Sequence, residues 1–225
     1  HRLYGHVPGS EGYTVARWLQ DVAQAIADSW REGRLPIITG GTGLYFRALE
    51  KGLSSIPPVS QEIRDHWRSY DGDLHGELAA RDPEMARRLR PQDRQRIVRA
   101  LEVVETTGRS LLDWQQDVQA PPPLAGVEVE RVFMEVPRDE LYARAERRFD
   151  QMINAGALGE VEKVITYDPA LPMMKAIGLP ELAAHLRGET TLEEAVALAK
   201  TATRQYIKRQ LTWWRVQMGH WRDEH

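Results

Sequence analysis

The sequence predicts an α/β protein, with a parallel-sheet core whose strand set is incomplete and an all-helical insertion. Three observations carry that expectation. Leu35-Pro36-Ile37-Ile38-Thr39 reads as a short buried strand, Gly40-Gly41-Thr42-Gly43 as a tight turn, and Leu44 to Lys51 as a helix, the order found in half of a βαβ unit. Glu128 to Val136 alternates apolar and polar residues, with Val127, Val129, Val132, Met134 and Val136 as the apolar members and one slip of phase. Between them, residues 53–120 show only helical patterns. Two strands rarely make a stable sheet alone, and a strand–helix unit normally belongs to a larger parallel sheet. The remaining strands are therefore expected from a segment N-terminal to His1, and the opening His1-Arg2-Leu3-Tyr4 has no start signal of its own.

The helices follow from spacing and from their ends. Val15, Trp18, Leu19, Val22, Ile26 and Trp30 recur at helical spacing, with Thr14 to cap the start and Gly33 to end it, which predicts a helix over 10–33. The middle segment is broken by Pro57-Pro58, Asp71-Gly72, Asp82-Pro83 and Arg90-Pro91, and both Asp82-Pro83 and Asp93 look like helix starts. Pro121-Pro122-Pro123 is a stiff exit linker. Beyond the second strand, helices are predicted over 138–155, 158–167 and about 191–218. The domain boundaries read from this pass are 1–53 with 121–225 for the core and 54–120 for the insertion.

Composition sets limits. The 225 residues are 42% apolar and 28% charged, so a core can form on a chain with ample polar surface. No stretch approaches the roughly 20 apolar residues that span a bilayer. There is no cysteine, which excludes disulfides and thiolate metal sites. The formal net charge of −3 means that contact with nucleic acid must come from local patches.

Four segments could carry chemistry. The amides of Gly40-Gly41-Thr42-Gly43 and the helix behind them could attract an anion, although a structural turn explains that tetrapeptide at least as well. No G-x-x-x-x-G-K-[ST] phosphate loop occurs in the chain. On the helix over 93–109, Ile97, Ala100, Leu101 and Val104 form one face, and Gln95, Arg96 and Arg99 fall opposite, where they can reach phosphates and base edges. Residues 81–109 hold eight arginines against five acids, which a solvated helix face would also explain. Near the C-terminus, Arg204, Lys208 and Arg215 share a stripe in a segment without acids, while Ala195, Val196, Ala199, Ala202 and Tyr206 face the core. That stripe could meet phosphate or pair with core residues, and the nearby tryptophans read as packing more than as base platforms. Arg144 and Arg148, one turn apart, could neutralise a diphosphate or could pair with Glu140 and its neighbours. No two of the seven histidines have metal-ligand spacing, and His66, His75 and His185 read as ordinary polar positions.

The ordered set of these segments resembles the tRNA dimethylallyltransferase (isopentenyl-tRNA transferase) family over nearly the whole chain. The resemblance rests on His1-Arg2-Leu3, Pro36 to Phe46, Asp82-Pro83, Asp93 with Gln95-Arg96 and Arg99 to Val103, Thr107-Gly108, Arg148, Ala176-Ile177-Gly178, Lys208-Arg209-Gln210, Thr212-Trp213 and Arg215. It implies a P-loop-type core with an inserted helical domain. It also implies transfer of a dimethylallyl group from dimethylallyl diphosphate to N6 of adenosine 37 beside the anticodon, in tRNAs reading codons that start with U, with Mg²⁺ assisting departure of pyrophosphate. By resemblance, Thr42 and Arg64 touch tRNA, as do Gln95, Arg96 and Arg99, and Lys175, Ala176, Ile177, Gly178 and Leu179. Arg148 faces the diphosphate. The family's general-base aspartate lies upstream of the His-Arg-Leu segment, so no catalytic base and no metal ligand is assigned here, and neither Asp21 nor Asp93 is promoted to the role. The family often has an aromatic where Leu179 stands, which leaves a stacking contact there without support. A cytoplasmic monomer is expected, and these 225 residues alone are expected to be inactive. A noncatalytic RNA-binding module and a P-loop nucleoside or nucleotide kinase are the alternatives. The first would leave Arg148 incidental, and the second would not need two RNA-contact segments.

Overall fold

The computed structural model describes residues 1–117 and 121–222, so the last residues of the predicted insertion and of the predicted core lie outside the described residues. The chain divides into two compact units, His1–Phe46 with Val127–His225, and Arg47–Gly126. The first contains α1 (Val15–Arg31), the start of α2 (Gly43–Lys51), α8 (Arg138–Asn154), α9 (Ala157–Val164), α10 (Leu179–Leu186) and α11 (Leu192–Gln217). The second contains α3 (Gln61–Ser69), α4 (Leu74–Arg81), α5 (Pro83–Arg88), α6 (Arg94–Thr107) and α7 (Leu111–Gln116).

The expected parallel-sheet core is not there. No strand forms among the described residues. Residues 35–39 and 127–136 have strand-like composition but no ladder, and several of their apolar side chains face solvent: Leu35 is 84% exposed, Ile37 81%, Val132 59% and Met134 81%. A strand is defined by a neighbour that takes its N–H and C=O groups. Propensity alone supplies no such neighbour.

Helix ends are set locally. Thr14 Oγ1 accepts from Arg17 N–H at 3.2 Å, and Gly33 adopts φ 65° just past α1. Asp93 caps α6, and Gly108 closes it in the left-handed region at φ 64°. Asp82 caps α5 by accepting from Met85 N–H at 3.0 Å, with Pro83 at the first helical position. Asp82 is buried, and the Ser110 hydroxyl satisfies its other oxygen at 2.6 Å.

In the helical unit, Trp67, Leu78, Ile97, Leu101 and Val103 pack around α6 with almost no exposure. In the other unit, Phe149, Val161, Leu182, Ala195 and Ala199 build a core between α8, α9, α10 and α11. Ala195 and Ala199 are fully buried, and their small side chains let α11 approach its neighbours. A second cluster joins Trp214, Met218 and Trp221 to Phe46 and Phe133. The first fourteen residues are tied to α1 by polar contacts. The Tyr13 hydroxyl donates to Asp21 Oδ2 at 2.7 Å, and His6 Nε2 lies 3.3 Å from the same oxygen. Those two hydrogen bonds hold the Asp21 carboxyl below its ordinary value near 3.8, whereas burial first and then Asp21 push the Tyr13 hydroxyl up.

Two outcomes follow from this packing. Leu101→Ala should lower unfolding free energy by about 2–5 kcal/mol in a urea titration. A depressed carboxylate pKa stabilises above the unfolded value, and that stabilisation is lost as pH falls through the folded value. The melting-temperature gap between wild type and Asp21→Asn should therefore be present at neutral pH and close below about pH 4. A gap independent of pH would sink the assignment.

Candidate functional site

The glycine turn before α2 is held by α11. Gln210 Nε2 donates to the Gly41 carbonyl at 2.8 Å, across 169 residues of sequence. The Trp213 ring occupies the space beside Gly43, where a Cβ would stand 1.9 Å from ring carbon Cζ3. At Gly41 a Cβ would stand 2.7 Å from Gln210 Nε2. Gly43 is thus required by the close approach of the Trp213 ring, and a side chain at Gly41 would displace the Gln210 amide. Between them Thr42 is exposed and lines a cavity of ≈ 480 Å³ together with Trp18, Val22, Ile38 and Tyr45. Trp18 and Tyr45 stack at 4.2 Å between centroids and 17° between planes, which fixes one wall.

Arg148 lies exposed on α8, and no ion-pair partner for it is present among the described residues. Its neighbour one turn earlier differs, because Arg144 is paired with Glu140. The two arginines that the sequence groups together therefore separate into one neutralised and one available cation. Phe149, next in sequence, points into the core and meets Gly178, where a Cβ would lie 2.8 Å from ring carbon Cε2. Gly178 sits at φ 97°, and its N–H donates to Glu181 Oε2 at 3.0 Å. Lys175, Ala176 and Ile177 are exposed, whereas Gly178 and Leu179 are buried. The Leu179 side chain belongs to the core cluster, and its N–H donates to the Ala176 carbonyl at 3.0 Å. What Leu179 offers is support for the loop.

In the helical unit the polar face of α6 presents Gln95, Arg96 and Arg99, and α3 presents Arg64, partly exposed. Arg96 pairs with Asp93 at 3.2 Å and Arg99 with Glu102 at 3.3 Å. Two further arginines join this face that sequence reasoning did not single out. Arg68, one turn after Arg64, lies 3.6 Å from Glu102. Arg94 donates through Nη2 to the carbonyls of Arg68 at 3.0 Å and Tyr70 at 2.6 Å. The i,i+4 step from Arg64 was the one available signal for Arg68.

The C-terminal stripe is only partly a free cationic surface. Arg204 pairs with Glu146 of α8, and Lys200 with Asp150 at 2.7 Å, so both clasp two helices. Lys208, Arg209 and Arg215 remain exposed. Tyr206, expected to face the core, is instead exposed under the Arg209 guanidinium at 5.6 Å. Trp213, Trp214 and Trp221 are packing residues, with Trp214 4.8 Å from Trp221 and 5.7 Å from Phe46 between centroids. His75 and His185 bind backbone carbonyls. No group of three or more His, Asp or Glu side chains that could hold a metal ion occurs among the described residues.

The sequence profile of the IPP transferase family matches residues 1–217. The chain belongs to that family. It is 50% identical to the tRNA dimethylallyltransferase of Azorhizobium caulinodans, over 98% of this chain and 73% of the relative. It is 49% identical to the protein of the same name from Nitrobacter hamburgensis, over 99% and 72%. The full-length tRNA isopentenylpyrophosphate transferase of Bacillus halodurans superposes with a TM-score of 0.63 at 31% identity, covering 96% of this chain and 68% of that one. A eukaryotic dimethylallyltransferase, captured acting on tRNA, gives 0.73 at 28% identity over 93% and 54%. Membership of the IPP transferase family makes the chain a prenyltransferase.

The contact between α11 and the turn has a measurable signature. Gly43→Ala should cost about 1–3 kcal/mol by overpacking against Trp213. Trp213→Leu should relieve part of that penalty, so a double-mutant cycle read by chemical denaturation should show coupling. Additive losses would mean that Trp213 does not occupy the space beside Gly43.

Proposed function

We propose that this protein transfers a dimethylallyl group from dimethylallyl diphosphate to N6 of adenosine 37 in tRNAs that read codons starting with U. The N6 lone pair forms a bond to C1 of the allyl group, the C1–O bond breaks, and pyrophosphate leaves with the electron pair. The match of the IPP transferase profile to residues 1–217 is the observation that carries this reading. The base must leave its stack to react, at a cost of a few kcal/mol, so the protein has to hold the anticodon stem-loop while that nucleotide is out. Arg64, Gln95, Arg96 and Arg99 supply one set of contacts. Thr42 and the Lys175–Gly178 loop supply another, with Leu179 as their support.

Arg148 is assigned to the diphosphate. Its exposure and lack of a carboxylate partner among the described residues leave its guanidinium available to bind two phosphate oxygens. It stabilises charge that grows on the bridging oxygen as the C1–O bond breaks. The proton lost from N6 goes to a base that we assign to no residue of this chain. The described residues do not form a carboxylate cluster suited to Mg²⁺, and no step here runs through that ion. No helix among them is long and apolar enough to cross a membrane. We place the protein in the cytoplasm with its tRNA substrate, acting as a monomer.

The decisive experiment measures label transfer from dimethylallyl diphosphate to tRNA reading U-starting codons, using the protein as it occurs in the cell. No label in such tRNA would end the proposal. Arg148→Ala should raise KM for the diphosphate by on the order of tenfold or more, the loss of a charge-assisted hydrogen bond, and leave KM for tRNA unchanged. A reversed pattern would remove Arg148 from the diphosphate.

A further inference from the structure

Glu102 is only 4% exposed, on the α6 turn that also carries the fully buried Ala100, Leu101 and Val103. Its carboxylate splits between two arginines on two helices. Oε2 faces Arg99 Nη1 at 3.3 Å, and Oε1 faces Arg68 Nε at 3.6 Å. Both arginines remain accessible, with 43% and 58% of their side chains exposed. Arg94 fixes the frame, because its two bonds to the carbonyls of Arg68 and Tyr70 lock the end of α3 against the start of α6.

A buried carboxylate is a poor way to gain stability. Desolvating the charge costs several kcal/mol, and an apolar residue of similar size often serves a core equally well. What the carboxylate supplies is direction. A guanidinium has five N–H donors in a rigid plane, and each arginine turns one edge to Glu102. The remaining donors face solvent from two helices held at a fixed spacing, the geometry that binds anionic oxygens in forked fashion.

We propose that Glu102 is a positioning residue that presents Arg68 and Arg99 as a paired clamp for the tRNA sugar–phosphate backbone, and that Arg68 is itself a tRNA contact. This rests on the tRNA reading above and adds to it one contact residue and the group that aims it. The clamp reads no base, so it acts on every substrate tRNA alike.

The test is tRNA binding by fluorescence anisotropy across a salt series, with the complete enzyme. Simple electrostatics predicts that deleting a negative charge near RNA tightens binding. The clamp predicts the opposite: Glu102→Gln should weaken tRNA binding by about tenfold and leave KM for dimethylallyl diphosphate unchanged. Arg68→Ala should make the slope of log K against log salt shallower by about one, and Arg68→Lys should restore the slope better than it restores affinity. Equal or tighter binding by a folded Glu102→Gln, or an unaltered slope for Arg68→Ala, overturns the clamp. If Glu102→Gln fails to fold, the two Arg68 variants decide the matter, since that side chain lies on the surface. If wild type neither binds nor prenylates tRNA, the functional reading fails first. If wild type does both and the variants match it, only the clamp fails.

Discussion

The unit built from both ends of the chain depends on one close approach, the Trp213 ring lying where Gly43 has no side chain. That contact, with the Gln210 bond to Gly41, fastens the turn at residues 40–43 to the long C-terminal helix. It also brings Phe46 onto Trp214 and Trp221, so the aromatic cluster closes over the same join. A side chain at Gly43 would have to displace the Trp213 ring, and one at Gly41 would push aside the Gln210 amide that binds the turn. The exposed position of Thr42 between them is therefore set by residues about 170 positions away in sequence. A site residue with no bulk and no charge of its own is placed by the packing of its neighbours.

The candidate site depends on the same kind of remote support at the Lys175–Leu179 loop. Gly178 can take its left-handed backbone and lie against Phe149 because it lacks a Cβ. Phe149 follows Arg148 directly, so burying one side chain fixes the other. At ~100° per residue, the inward turn of Phe149 leaves Arg148 on the exposed flank of α8. Leu179 closes the arrangement from inside the core.

Local signals were legible in the sequence, and partnerships were not. Thr14, Asp82-Pro83 and Asp93 mark helix starts because a cap is a bond between residues two or three apart. The apolar face of α6 was readable from Ile97, Ala100 and Leu101 for the same reason. The sheet failed because a ladder is a property of two segments, and alternation at 127–136 describes only one. Val132 and Met134 have the right composition for a strand and yet stand in solvent. The partners of Arg68, Glu102 and Gln210 were unreadable likewise. Each acts across a distance in sequence that no periodicity encodes, and Glu102 reads as one more acid on a charged helix until its burial is known.

Composition hid the most about charge. A net charge of −3 gives little reason to look for an RNA surface. Yet the cations are divided by task in a way that totals cannot show. Arg204, Lys200 and Arg144 are each matched to a carboxylate on a helix and contribute to packing. Arg148 has no such match among the described residues. Arg68 and Arg99 are an intermediate case, since both share one acid that is too deeply buried to compete for an outside ligand. An exposed acid would cancel a neighbouring arginine and also repel a phosphate. A buried acid between two exposed arginines anchors them from below and leaves their outward donors free. The depth of a carboxylate thus decides whether it silences an arginine or aims it.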